Sequence, residues 1–281
     1  MKHPRSFGLP EYIILGSLGI IITSILLFYA IDVRNLWGMR DTLFGANTAP
    51  FYFTYRPFFF HHYGRNTGIA EIVQWTLLSI TTAICFFQAG KFQLKDTVLS
   101  RFFLLFGISM LWMLVEDAGD IRQTLMSYVQ ALAGENDQGL FGTLFEGIYF
   151  AAVATLPLWA LYQARHTLRI VPRALGYLSL GLVFRYIAGG LSFVGTAFDL
   201  LIDQNLYTRW GDQLMNLSYR LGDADLQPLW ESWNLVYWDY PIGFFLLDSL
   251  IEENIEIIGN ALFLAGVIYL IRTFPRSKHV I

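Results

Sequence analysis

Long apolar runs alternate with shorter polar stretches along the whole chain. The runs fall at about 11–31, 68–90, 101–122, 140–163, 174–198 and 242–271. A helix needs about 20 apolar residues to cross the hydrocarbon core, and each run meets that length. In the third, Leu125, Met126, Tyr128, Val129 and Leu132 continue the apolar pattern, which predicts an extension to 133. Lipid offers the backbone no hydrogen-bond partner, so spanning segments of this length are helical. A membrane barrel would instead show short alternating segments. The pattern therefore predicts an all-α integral membrane protein. It forms a single polytopic domain over residues 1–281, a bundle of about six transmembrane helices. Long aromatic-rich outer loops lie at 32–67 and 199–241.

Composition agrees with this reading. Hydrophobic residues make up 55% and charged residues 15%, against roughly 25% charged in soluble domains. The net charge of −3, with scattered basic residues, predicts no nucleic-acid partner. The lone cysteine, Cys85, sits in an apolar run and is expected to behave as a small buried hydrophobe. The first run is long and ends at Asp32-Val33-Arg34, so it reads as a retained helix rather than a cleaved leader. The expected surroundings are the lipid bilayer and, in one reading below, other membrane subunits.

Basic residues near the helix ends predict orientation. One side collects eleven in short segments: Lys2, Arg5, Lys91, Lys95, Arg101, Arg165, Arg169, Arg173, Arg272, Arg276 and Lys278. The other holds seven, spread over long loops. Both termini are expected to be cytoplasmic, in a plasma or inner membrane. The outer segments carry a run of aromatics at 51–63, with His61 and His62 inside it, and then Trp210, Trp230, Trp233, Tyr237, Trp238 and Tyr240. Such rings suit the membrane interface. Trp210, Leu214, Leu217 and Leu221 fall at helical spacing and predict a short amphipathic helix lying on that surface.

Ionisable residues interrupt the apolar runs at similar depths. Arg101 is followed by 14 apolar residues, about 21 Å of helix, and then by Glu116, Asp117 and Asp120. Glu116, Asp120, Gln123, Ser127 and Gln130 would form one polar stripe on a continuous helix. Counting back from Arg272, about 22 Å of apolar helix precedes Glu256, Glu253, Glu252 and Asp248. Asp248, Glu252, Glu256 and Asn260 are four apart and share a face. Glu146 adds a carboxylate inside the fourth run, and Glu71 and Gln74 lie near the outer end of the second. Arg185, near the middle of the fifth run, and Arg122 are the expected counter-charges. Gly181, Gly189 and Ser192 around Arg185 would allow another helix to approach closely.

A charge at this depth costs at least about 2.5 kcal/mol. Carboxylates so placed need a proton, an arginine or a bound cation. The all-oxygen set Glu116, Asp117, Asp120, Glu146, Asp248, Glu252, Glu253 and Glu256 suits a hard divalent cation, Mg²⁺, Ca²⁺ or Mn²⁺, or protons. Glu116-Asp117-Ala118-Gly119-Asp120 and Glu252-Glu253-Asn254-Ile255-Glu256 both read acid-acid-x-x-acid. The pattern resembles the acidic motifs with which prenyl-diphosphate enzymes hold Mg²⁺. Such enzymes also need basic residues, and only Arg122 and Arg185 are near. No phosphate-binding loop, zinc-protease motif or nucleophile elbow occurs. Three functions follow as expectations. The first is cation or proton binding in the outer half of the bilayer, in a transport-type role. The second is an accessory subunit of a membrane complex. The third is a divalent-metal-dependent enzyme acting on a lipid or prenyl substrate.

Overall fold

The computed structural model describes residues 8–44, 68–119, 121–133, 138–194, 206–236 and 242–277. Among them the chain is helical throughout, with no strand. The helices are α1 (Leu9–Phe28), α2 (Met39–Phe44), α3 (Ile69–Phe92), α4 (Thr97–Gly119), α5 (Ile121–Ala133) and α6 (Gln138–Gln163). They continue with α7 (Arg165–Arg169), α8 (Pro172–Phe193), α9 (Leu206–Leu221), α10 (Leu226–Val236), α11 (Ile242–Phe245) and α12 (Glu253–Ser277). Two π-helical segments occur, Tyr29–Val33 after α1 and Leu246–Glu252 before α12. Six stretches are long and apolar enough to cross a membrane: Leu9–Val33, Ile69–Phe92, Thr97–Gly119, Leu140–Gln163, Pro172–Phe193 and Ile242–Phe274.

The chain divides into two compact units. One comprises Met1–Leu18, Val73–Gly190 and Ile255–Ile281, and the other Gly19–Ile72 and Leu191–Asn254. The first unit has an aromatic core. Phe92 stacks on Phe103, Phe102 stacks on Phe106, and Phe106 meets the edge of Phe263, with centroids 5.4–5.7 Å apart. Local signals explain the element ends. The Asp96 carboxylate accepts from the Leu99 N–H at 3.1 Å and caps the start of α4. Pro172 opens α8, where its missing N–H costs nothing. Pro157 lies inside α6.

Close helix approach in this unit depends on glycine. A Cβ on Gly107 would lie 3.0 Å from the Cys85 Cβ, so α3 and α4 touch there and Cys85 is fully buried. A Cβ on Gly181 would lie 2.7 Å from the Phe263 ring and 3.0 Å from the Gly259 carbonyl. Gly181→Ala is therefore expected to destabilise the protein by about 1–3 kcal/mol through overpacking. Gly190→Ala, on the same helix with nothing within 4 Å, should be neutral. Thermal unfolding of both variants in detergent makes the comparison, and equal melting temperatures would refute the close packing.

The third run is helical to Gly119 and again over Ile121–Ala133, where α5 packs beside α6. Residues 206–221 form α9, which contains the stretch whose spacing predicts an amphipathic helix. Two features depart from the sequence reading. A further helix, α10, follows α9 in the long outer segment. Trp230 is not an interfacial ring, since it is fully buried and lies 5.6 Å from the Tyr219 ring. The aromatic run 51–63 with His61 and His62, and Asp120, Tyr237, Trp238 and Tyr240, lie outside the described residues.

Candidate functional site

The site in the first unit is built from five helices, with two arginines at its centre. Arg122, at the start of α5, reaches Glu116 on α4 at 3.3 Å and Glu146 on α6 at 3.1 Å. Arg185, on α8, reaches Asp117 on α4 at 3.5 Å and Glu256 on α12 at 2.7 Å. Each guanidinium thus sits between two carboxylates. Adjacent residues of α4, Glu116 and Asp117, serve different arginines, so the two triads are joined through one helical turn. All six side chains are largely buried, Glu146 completely and Glu116 least, at 19% exposed. The similar depths inferred for the acids of the third and sixth runs are consistent with Arg185 bridging both.

The triads differ in alignment. The Arg122 Nη1–H donates to Glu146 Oε1 in an aligned hydrogen bond, and its guanidinium lies 4.9 Å from the centroid of the Phe150 ring. That arm is held by charge, direction and a cation–π contact. On the Arg185 side, the contact to Glu256 is close, yet Arg185 Nη1 has no aligned acceptor, and Asp117 Oδ2 is buried without a partner. The aliphatic stem of Arg185 passes against Gly259, where a Cβ would lie 3.0 Å from its Cγ. Any side chain at 259 would displace the arginine.

Polar residues line the same core. Asn260, one turn beyond Glu256, is fully buried, and neither amide atom has a hydrogen-bond partner. Gln74 is 1% exposed on α3. Counting equal distances from the Cys85–Gly107 contact along two antiparallel helices places Gln74 level with Ala118, beside Asp117. The Trp112 ring is 6.4 Å from the Tyr149 ring.

The remaining predicted carboxylates are not part of these triads. Asp248 and Glu252 lie in the π-helical segment of the second unit, and Glu253 opens α12. The buried Tyr207 hydroxyl donates to Glu252 at 3.1 Å. Burial, and then the Glu252 and Asp248 carboxylates, push the Tyr207 phenol well above its ordinary value, so it stays a neutral donor. Among the described residues, the motif acids with printed contacts have different partners. Glu116 and Asp117 go to different arginines, and Glu252 and Glu256 to a tyrosine and an arginine. Among the described residues no three Asp, Glu, His or Cys side chains converge as a metal site.

A second buried arginine cluster was not legible in sequence. Arg40, 1% exposed, reaches both oxygens of Asp223 from Nη2, at 3.1 and 2.9 Å, and donates from Nη1 to the Asp32 carbonyl at 3.1 Å. The Asp223 N–H donates to the Val33 carbonyl at 3.2 Å, and Arg34 donates to the Leu221 carbonyl at 3.0 Å. These bonds fasten the π-helical end of the first run to the end of α9. Within the same unit, α9 and α11 cross at Gly211 and Gly243, whose backbones touch.

Among the described residues, six helices are long and apolar enough to cross a membrane, as in a polytopic helical membrane protein. Compared with known proteins, it matches no family model, no curated protein and no solved structure.

Proposed function

We propose that the protein binds protons or small cations in the arginine–carboxylate network and serves a transport-type role. One observation carries this reading. Among the described residues, four carboxylates face two guanidiniums, Arg122 and Arg185. With all groups ionised, the network holds two uncompensated negative charges in a setting where uncompensated charge is costly. Protons or cations supply the missing charge. Because a fixed ion pair needs neither, the excess points to exchange rather than to structural pairing alone. Intramembrane carboxylates at a junction of several helices are the usual elements of proton and ion pathways.

The excess is spread around two arginines and does not converge on one point. This favours protons or monovalent ions over the divalent metal that a lipid or prenyl enzyme would require. The bias of Lys and Arg toward the short segments on the side of both termini supports cytoplasmic termini in a plasma or inner membrane, with the network in the outer half.

Vesicle reconstitution tests the proposal. Protein-loaded vesicles should dissipate an imposed pH or sodium gradient faster than empty ones. Asp117→Asn should slow that flux by about tenfold or more, the loss of one interaction worth about 1.4 kcal/mol in the rate-limiting state. Leakage no faster than in empty vesicles under either gradient would overturn the proposal.

A further inference from the structure

We propose that Asp117 and Asn260, beside Glu256, form a binding site for a small monovalent cation that carries coordinated water. The inference rests on the reading that the network takes up an exchangeable positive charge, and it names the chemistry of that charge.

Asn260 is the first support. It is fully buried in α12, and both its amide oxygen and its amide nitrogen lack a partner. Burying an unpaired amide is unfavourable, and this side chain leaves both ends unmet. Residues four apart stack on one helical face, and side chains lean toward the helix N-terminus. The Asn260 amide therefore lies over the turn that carries Glu256. Gly259, immediately before it, leaves room for the Arg185 stem, which places the arginine at the same level of α12.

Asp117 is the second support. Its Oδ1 meets Arg185 at 3.5 Å, its Oδ2 is buried with no aligned donor, and its carboxyl lies within hydrogen-bond reach of that of Glu116. Arg185 bridges Asp117 and Glu256, which brings α4 and α12 together at this level. The unmet groups are thus one carboxylate oxygen, one amide oxygen and one amide N–H.

Their chemistry selects the ligand. Oxygen donors suit a hard cation. The Arg185 triad carries a net charge of −1 when its carboxylates are ionised, which a single positive charge balances. The amide N–H cannot ligate a cation, but it can donate to water held by one. Arg122 and Glu146 are joined by an aligned hydrogen bond, so the exchangeable side of the network is that of Arg185. The charged groups around this position are Arg185 on α8, Glu256 on α12, and Glu116 on α4 with its partner Arg122 on α5.

Sodium is the probe. Thermal unfolding of the purified full-length protein should be followed in rising NaCl, with choline chloride keeping ionic strength constant. The melting temperature should rise with the logarithm of sodium concentration, as mass action requires, and potassium should act more weakly. Asn260→Leu, similar in size and without polar atoms, should raise the half-saturating sodium concentration by about tenfold, equivalent to one lost hydrogen bond of about 1.4 kcal/mol. Asn260→Ser, which keeps one oxygen, should fall between.

If neither variant folds, the wild-type comparison decides alone. A melting temperature indifferent to sodium, potassium and choline would overturn the cation site and leave Asn260 bound to buried water. Proton flux in vesicles with no sodium response would defeat only this inference. Absence of both proton and sodium flux would defeat the underlying reading as well.

Discussion

Arg185→Met should destabilise the protein by about 3–5 kcal/mol, the cost of removing one partner from a buried charge cluster. Arg185 is 9% exposed and holds Asp117 and Glu256 at 3.5 and 2.7 Å. Its loss leaves two buried carboxylates facing each other without a cation. Methionine retains the aliphatic stem that packs on Gly259, so lost packing contributes little. The cause can be isolated. Adding Asp117→Asn and Glu256→Gln to Arg185→Met neutralises the stranded charges and should restore most of the lost stability. Denaturant unfolding in a mild detergent reads both variants. If the single change costs under about 1 kcal/mol, the range of exposed pairs, Arg185 does not hold this part of the unit together. If the triple variant is no better than the single one, charge is not the reason for the loss.

Arg40→Met is expected to have the next largest effect, about 3 kcal/mol, the lower end of the range for a buried pair because Asp223 is 28% exposed. Arg40 is almost fully buried and satisfies both the Asp223 carboxylate and the Asp32 carbonyl. Asp41, 68% exposed and 3.8 Å away, adds little. Arg40→Lys should recover only part of the loss, because a point charge cannot donate from two nitrogens to two separate acceptors. Limited proteolysis provides a local readout. Cleavage near residues 34–41 and 221–225 should rise in the methionine variant while the first unit stays protected. Unchanged cleavage there would contradict the fastening role of Arg40.

The spans were legible because lipid imposes a length and a polarity that few other environments require. Boundaries agree to within a few residues, as in 68–90 against Ile69–Phe92 and 140–163 against Gln138–Gln163. Exposure was less legible. Leu125, Tyr128 and Leu132 extend the apolar pattern, and all three are exposed, with Leu132 88% exposed. Periodicity cannot tell an apolar face covered by protein from one that is not.

The acids stood out as interruptions of apolar runs, and Arg122 and Arg185 as the basic residues near them. Their pairing was not visible. Glu146 reaches Arg122 from another helix, and Glu252 bonds Tyr207 instead of joining Glu256 at an arginine. Regular spacing of acids predicted shared faces, and tertiary packing then paired acids of different helices at a common arginine. Asn260 was seen only as the end of an acidic face. Its importance lies in burial without partners, which no sequence pattern reports. Arg40 and Asp223 are 183 residues apart in segments that read as loops, so nothing local links them.

The proposed network holds more carboxylates than guanidiniums, and an exchangeable positive charge would balance it. Infrared difference spectroscopy reads that charge, because a protonated carboxylic acid has a carbonyl band that a carboxylate lacks. Spectra of the purified protein should be compared between acid and alkaline pH, and then between sodium-free and sodium-loaded samples. A carboxylic-acid band from a buried group should grow with acidity, fall when sodium is added, and be lost in Asp117→Asn. A spectrum in which no carboxylate of the network changes with pH or sodium would overturn the proposed exchange.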